Sequence, residues 1–356
     1  MTALLERLGM RCPIIQAPMA GTSTVALALN VMKAGCLGSI ALGAANAEAG
    51  RKLIREIKGA TDRSFNVNLF CHAPAQRDTE REARWLQALA PRFAAFAAEP
   101  PAQLNEIYRS FVEDEAMADM LHQERPAIVS FHFGLPHASQ IARLKSAGAF
   151  LMASVTCLEE AQTAVAAGMD AVIAQGYEAG GHRGIFAPEA GDEKLPLFTL
   201  VQLLVQALDV PVIAAGSIMT GAGIAACLDL GAQAVQMGTA FIACPESAAD
   251  AAHRSALLGA GGSHTIVTDA ISGRPARCIA NEFTRLGQEL IGQGAQPAAY
   301  PVAYDAGKAL NAAAKAAGHT AYGAQWAGQG APLARALPAA ELVELLMREY
   351  EAVRLS

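Results

Sequence analysis

The chain has 356 residues, 53% of them hydrophobic and only 17% charged, with a formal net charge of −6 and no run of lysine or arginine. That balance excludes a disordered or fibrous chain and argues against nucleic acid or an anionic membrane as a partner. The length suits one large or two modest domains with a sizeable core, which makes small-molecule chemistry the default expectation.

Taken in order, the N-terminus MTALLERLGMRCP has no apolar signal region followed by a small-residue cleavage site, and no window holds 18 uninterrupted apolar residues. Seven cysteines are scattered, odd in number and never spaced as CxxC, which reads as free thiols of a reducing compartment with no metal site. A cytoplasmic protein is expected. Eight short β-favouring runs follow, at 13–18 (PIIQAP), 36–42, 64–70, 127–133, 149–155, 171–176, 211–216 and 234–241. Alanine-rich stretches of helical period separate them at 22–34, 46–58, 137–147, 158–167, 198–208 and 221–230. Gly35, Gly148, Gly168 and Gly231 close four of these stretches just before the next strand, the usual helix C-terminal signal. Repeated βα units with nearly continuous apolar strands predict a parallel sheet covered on both faces, and eight of them favour a closed (β/α)8 TIM barrel, an α/β fold, over 1–76 and 126–247.

Two stretches break the repeat. Residues 77–125 are too long for one crossover; helical pieces at 80–90 and 104–121, divided by Glu99-Pro100-Pro101, predict a helical insertion after strand 3, open to reading as a lid or as a homodimer surface. Residues 248–356 hold few strand runs and end in an amphipathic stretch near 339–353. This C-terminal extension is expected to supply the last barrel helix and then fold back over the barrel mouth.

In such a barrel the ligand sits at the C-terminal strand ends. Polar residues gather there: Met19 follows the first strand, with Asn66 and Asn68 in the third, His132 at the fourth, Ser154 and Thr156 at the fifth, and Gln175 at the sixth. The sixth strand runs on as DAVIAQGYEAGGHRGIF, in which Gly180 and Gly181 precede His182. Paired glycines let backbone approach a ligand, and an imidazole there can give or take a proton; a tight turn with an exposed histidine is the competing reading. Asn68 and Gln175, near otherwise apolar strand ends, need partners, which a cofactor would supply.

The seventh and eighth strands end in small residues, Gly216-Ser217 and Gln236-Met237-Gly238-Thr239. Loops at these positions commonly bind phosphate through backbone N–H groups and a helix N-terminus, which fits flavin mononucleotide (FMN) lying across the barrel top. Gly221, Gly223 and Ala226 spell G-x-G-x-x-A, but five residues beyond the strand and without an acidic ribose partner, so nicotinamide binding is not indicated. A Cys71–His72 dyad lacks an orienting group. No H-E-x-x-H, G-x-S-x-G or Walker loop is present.

These motifs are together similar to the class I nitronate monooxygenases, formerly called 2-nitropropane dioxygenases. The resemblance runs through QAPMAG from Gln16, FNVNLF from Phe65, VSFHFGLP from Val129, QGYEAGGHRG from Gln175, AAGSI from Ala214 and QMGT from Gln236, and into AYPVAYDAGK from Ala299 and WAGQGAPLAR from Trp326. It implies that Met19, Asn68, Gln175, Gly180, Gly181, Gly216, Ser217, Gln236, Met237, Gly238 and Thr239 hold FMN. It implies His182 as catalytic base, with Tyr108, His132, Tyr300, Tyr304 and Lys308 on the substrate side. Ser217 departs from the pattern, standing where relatives commonly carry glycine. The implied reaction is oxidation of alkyl nitronates, such as propionate 3-nitronate, by O2 to carbonyl compounds with release of nitrite or related nitrogen oxides. The alternative on the same fold is an NAD(P)H-dependent flavin reductase of enoyl thioesters or quinones. If the tail segment is helical, Tyr300, Tyr304 and Lys308 are four apart and share one face suited to an anion.

Overall fold

The computed structural model describes residues 2–355. Eight parallel strands form the barrel: β1 (Ile14–Gln16), β2 (Ser39–Ala41), β3 (Asn66–Phe70), β4 (Ile128–His132), β5 (Phe150–Val155), β6 (Ala171–Gln175), β8 (Val212–Ala215) and β9 (Ala234–Met237). Their order is β1-β9-β8-β6-β5-β4-β3-β2. An Ile15–Leu37 bridge closes the seam between β1 and β2. The fully buried Gln16 helps there, its Oε1 accepting from Ser39 N at 2.9 Å while its Nε2 donates to Ser23 Oγ at 2.8 Å.

The apolar runs in the sequence are apolar because each strand is covered twice. One face packs on the outer helices in a core that includes Val67, Phe131, Leu151 and Val235; alternate side chains such as Ile15, Met152, Ile173 and Ile213 fill the barrel interior with Leu4, Leu5 and Leu8 of the N-terminal helix Ala3–Leu8. The four glycines read as helix stops all have φ between 87° and 101°.

Several boundaries differ from expectation. The second helical piece of the insertion, expected over 104–121, is shorter and later. Residues 101–110 carry no helix; a 3-10 turn, Phe111–Glu113, precedes the helix Glu115–Glu124, whose start is set by Asp114 accepting from Met117 N at 3.0 Å. The stretch 77–125 also divides in two. Helix Glu115–Glu124 packs against Ala47–Ala60 and takes the place of a barrel helix between β3 and β4. Helix Thr79–Ala95 instead buries Trp85, Leu86, Leu89 and Phe93 in a second core with Phe283, Val302, Leu310 and Tyr322 of the C-terminal extension.

The extension holds more strand than expected. β7 (Gly181–His182), β10 (Thr265–Thr268) and β11 (Ala276–Ile279) form an antiparallel sheet with β11 in the middle, pairing Ala276 with His182. The order of the tail is also the reverse of that expected: it crosses the mouth first, and the final helix Ala339–Leu355 then returns to pack against Gly221–Asp229 and Val25–Lys33, the place of the eighth barrel helix. The eighth strand stops at Met237, where Gly238 turns the chain into the short helix Thr239–Ile242.

Candidate active site

A cavity opens at the C-terminal strand ends, lined from every side of the barrel and roofed by the extension. Met19, Asn68, Gln175, Gly180, Gly181, Gly216, Ser217, Gln236, Met237, Gly238 and Thr239 all line it, as do His182, Tyr108, His132, Tyr300 and Tyr304. Lys308 does not. Tyr300 lies before the helix Val302–Ala316, so the three residues do not share one helical face; Lys308 is exposed behind the tyrosines, its Nζ 4.7 Å from the Tyr108 ring centre and 5.1 Å from that of Tyr304.

His182 stands at the centre. Its own carbonyl is held by two donors, Gln175 Nε2 at 2.9 Å and His132 Nε2 at 3.2 Å. Gln175 Oε1 in turn accepts from Gly184 N at 2.7 Å and Arg183 Nη1 at 3.1 Å. The Gln175 amide, which lines the cavity, thus also fixes the histidine loop. Fully buried Arg183 completes the clamp, donating to the carbonyls of Gln175 and Gly176 and pairing with Asp192 at 2.8 Å.

The ring of His182 is boxed by aromatic groups: Trp326 at 5.0 Å, Tyr300 at 5.4 Å, Phe133 at 5.6 Å and Tyr304 at 6.2 Å between ring centres. Its Nε2 lies 2.9 Å from Ser272 Oγ. Burial pushes the His182 imidazole down to about 3, reinforced by His132, Arg274 and His72; burial likewise takes His132 and His72 to about 4. Arg274 is the nearby buried cation. Among the described residues no carboxylate pairs with it; its guanidinium lies 4.4 Å from the Phe133 ring centre and donates to the Ile185 carbonyl.

The other wall is quieter. Asn68 Nδ2 donates to Ser130 Oγ at 2.9 Å, while Gln236 Oε1 is buried without a partner. A buried amide oxygen at a cavity wall fits a ligand N–H or hydroxyl as its donor. Ser217 has a positive φ of 49°, and its hydroxyl faces the extension, donating to the Glu178 carbonyl at 2.7 Å and accepting from Gly330 N at 2.9 Å. It thus adds no donor to a phosphate. The helix N-terminus at Gly221 is also committed: Glu349 Oε2 accepts from Gly221 N at 2.8 Å, and Thr220 Oγ1 from Gly223 N at 3.1 Å. Of the remaining histidines, His72 is buried edge-on to Tyr300 at 4.9 Å, and burial raises the Cys71 thiol well above its ordinary value, so no activated dyad forms.

Sequence reasoning missed Phe133, Trp326, Ser272, Arg274 and Arg183. Trp326 and Arg183 lie inside motifs already singled out, but their aim depends on how the extension closes on β6.

A model of the nitronate monooxygenase family matches residues 2–349 of the chain. The chain belongs to that family. It is 59% identical to a nitronate monooxygenase of Paraburkholderia phytofirmans over 98% of this chain and 95% of the relative. It is 54% identical to a nitronate monooxygenase of Pseudomonas aeruginosa over 96% and 97% of the two chains. Among solved structures, a nitroalkane oxidase from Streptomyces ansochromogenes is similar with a TM-score of 0.89 and 40% identity, covering 99% of both chains. FabK from Thermotoga maritima is similar at a TM-score of 0.76 and 29% identity, over 100% and 97%. Membership in the nitronate monooxygenase family makes this chain an enzyme of the flavin oxidoreductase class, and its barrel is the family's barrel. No helix among the described residues is long and apolar enough to cross a membrane.

Proposed function

We propose that the chain oxidises alkyl nitronates with O2 to carbonyl compounds, releasing nitrite or related nitrogen oxides, with FMN at the strand ends of the barrel. The observation that carries this reading is the placement of His182: a neutral imidazole, anchored through its backbone and boxed by Tyr300, Tyr304, Phe133 and Trp326, facing a wall of strand-end amides. The residues present fit a flavin. Gln236 Oε1 is an orphaned buried acceptor, and the turns at Gly216 and Gly238 carry no side chain toward the cavity. Asn68, Gln236, Met19 and the turns 216–219 and 238–239 would hold the cofactor. When bound, FMN supplies the electron acceptor that no side chain here provides.

The rest is done by the chain. The aromatic box excludes water and fits a small apolar substituent. Arg274 and, from outside the box, Lys308 place positive potential near an anionic nitronate. A neutral His182 can take the α-proton of a nitroalkane, whose electron pair passes into the C=N bond of the nitronate. The deciding measurement is O2 consumption by the yellow holoenzyme with propionate 3-nitronate. Rapid anaerobic bleaching of the flavin by NADPH, with no nitronate turnover, would instead favour the flavin reductase reading on the same fold. Replacing His182 by Asn is expected to cost about 10²–10⁴-fold in turnover of neutral nitroalkanes while sparing preformed nitronates; equal loss on both would show an electrostatic role.

A further inference from the structure

Ser272 sits on the turn between β10 and β11, outside every motif of the barrel. It is completely buried. Its Oγ is within hydrogen-bond distance of two groups: His182 Nε2 at 2.9 Å and the Arg274 carbonyl at 3.2 Å. A serine has one proton to give, and a carbonyl oxygen can only accept. The Ser272 hydroxyl therefore donates to Arg274 O, and its lone pair is left to accept from His182 Nε2–H.

This chain of donors sets the protonation pattern of the ring. With Nε2 carrying the hydrogen, Nδ1 of the neutral imidazole is the lone-pair nitrogen. Nδ1 has no hydrogen-bond partner among the described residues and is not one of the buried polar atoms left without a partner, so it is open to the cavity. The turn is built to hold Ser272 still. Gly273 has φ of 84°, and a Cβ there would meet the Ala298 carbonyl at 2.4 Å. On the far side, Ala276 of β11 pairs directly with His182 of β7, which locks the distance between the serine and the ring.

We propose that Ser272 is a positioning residue that fixes His182 as the Nε2–H tautomer, making Nδ1 the atom that accepts the α-proton of a neutral nitroalkane. The inference rests on His182 serving as base in the reaction proposed above. The step is balanced within the site: the C–H bond breaks, its proton moves to Nδ1, its electron pair enters the nitronate, and the imidazolium formed keeps its Nε2–H on Ser272. A preformed nitronate needs no such transfer. Besides Ser272, the ring is faced by His132, His72 and Arg274 and by the phenols of Tyr300 and Tyr304, none of which hydrogen-bonds to its nitrogens.

The test compares wild type, Ser272→Ala and Ser272→Thr as holoenzymes, using histidine-selective ¹⁵N NMR with the His182 signals identified by their loss in His182→Asn. Wild type and the threonine variant should show His182 protonated at Nε2, and the alanine variant a shift toward Nδ1–H. In turnover, Ser272→Ala should lose roughly tenfold or more in kcat with a neutral nitroalkane, its kcat with preformed nitronate changing by less than about threefold. An Nδ1–H tautomer in wild type, or an alanine variant with unchanged tautomer and unchanged nitroalkane turnover, overturns the proposal. If wild type turns over neither substrate the nitronate reading fails, and the ¹⁵N signals of the folded alanine variant still decide the role of Ser272.

Discussion

Ser217 carries two opposed effects in one residue. Its φ of 49° strains a side chain that has a Cβ, by about 1–2 kcal/mol, whereas its two hydrogen bonds contribute about 0.5–1.5 kcal/mol each. The bonds tie the sixth-strand loop to the tail at Gly330, which explains why serine is tolerated where a glycine would relax the backbone. Ser217→Ala keeps the strain and loses both bonds; Ser217→Gly loses the bonds and the strain together. Urea denaturation should therefore rank the alanine variant below the glycine variant in stability, with glycine close to wild type. Lys308 poses a different question at the same scale. It stands behind Tyr108 and Tyr304 and touches the substrate region only through its field, with burial drawing its ammonium below the ordinary lysine value. Lys308→Met should raise KM for anionic nitronates roughly two- to fivefold and leave kcat unchanged; an unchanged KM would remove Lys308 from the site.

Among the elements, the loop from Gln175 to Phe186 does the most positioning. Its strand end is gripped by Arg183, its first turn by Arg277, which donates to the Tyr177 carbonyl at 3.0 Å, and its far end by Glu160, which accepts from Phe186 N at 2.7 Å. Gly180 lies so near the tail that a Cβ would meet Gly328 N at 2.4 Å, so the loop and the WAGQG segment close on each other only without a side chain there. Arg183 is the keystone of this element. Removing it leaves the Asp192 carboxylate without its guanidinium and takes a donor from the carbonyls of Gln175 and Gly176. Arg183→Met is expected to lower unfolding free energy by about 3–5 kcal/mol in urea titrations and to reduce activity by loosening His182. A loss below about 1 kcal/mol would show that the clamp is dispensable.

For the molecule as a whole, the mouth is built by joining two cores. The barrel core supplies the strand ends; the second core, in which helix Thr79–Ala95 packs with the extension, supplies the roof. Where they meet, His72, His132 and His182 are buried as neutral imidazoles with values near 4, 4 and 3. In the unfolded chain the same imidazoles take up protons near pH 6.5 or so. As pH falls below that value, the unfolded state binds protons that the folded state refuses, so stability declines, by up to about 1.4 kcal/mol per pH unit for each histidine, until the folded groups also protonate near pH 3–4. Thermal melts should show Tm dropping steadily between pH 6.5 and 4. His72→Phe should flatten that slope, and a Tm independent of pH in this window would mean that the imidazoles are not held neutral.

Much of this architecture is legible along the chain, because the information is local. Strand periodicity, the glycine that stops each helix, and the glycine pair before His182 are properties of a few adjacent residues, and they suffice for an eight-stranded barrel with a ligand site at its strand ends. Most of the residues expected in the cavity line it for the same reason: in a barrel, a place at the end of a strand is already a place in space. The roles of the polar groups are not local. Whether Gln175 faces a cofactor or grips a carbonyl depends on Arg183 and Gly184 folding back on it, and whether Gly221 opens an anion site depends on Glu349, more than a hundred residues away, reaching it first. Ser272, Arg274 and Trp326 join the site only when β11 pairs with the two-residue strand at His182, a contact with no periodic signature. Long-range pairing chooses which hydrogen bonds are spent on structure, and the groups left over are what a substrate meets.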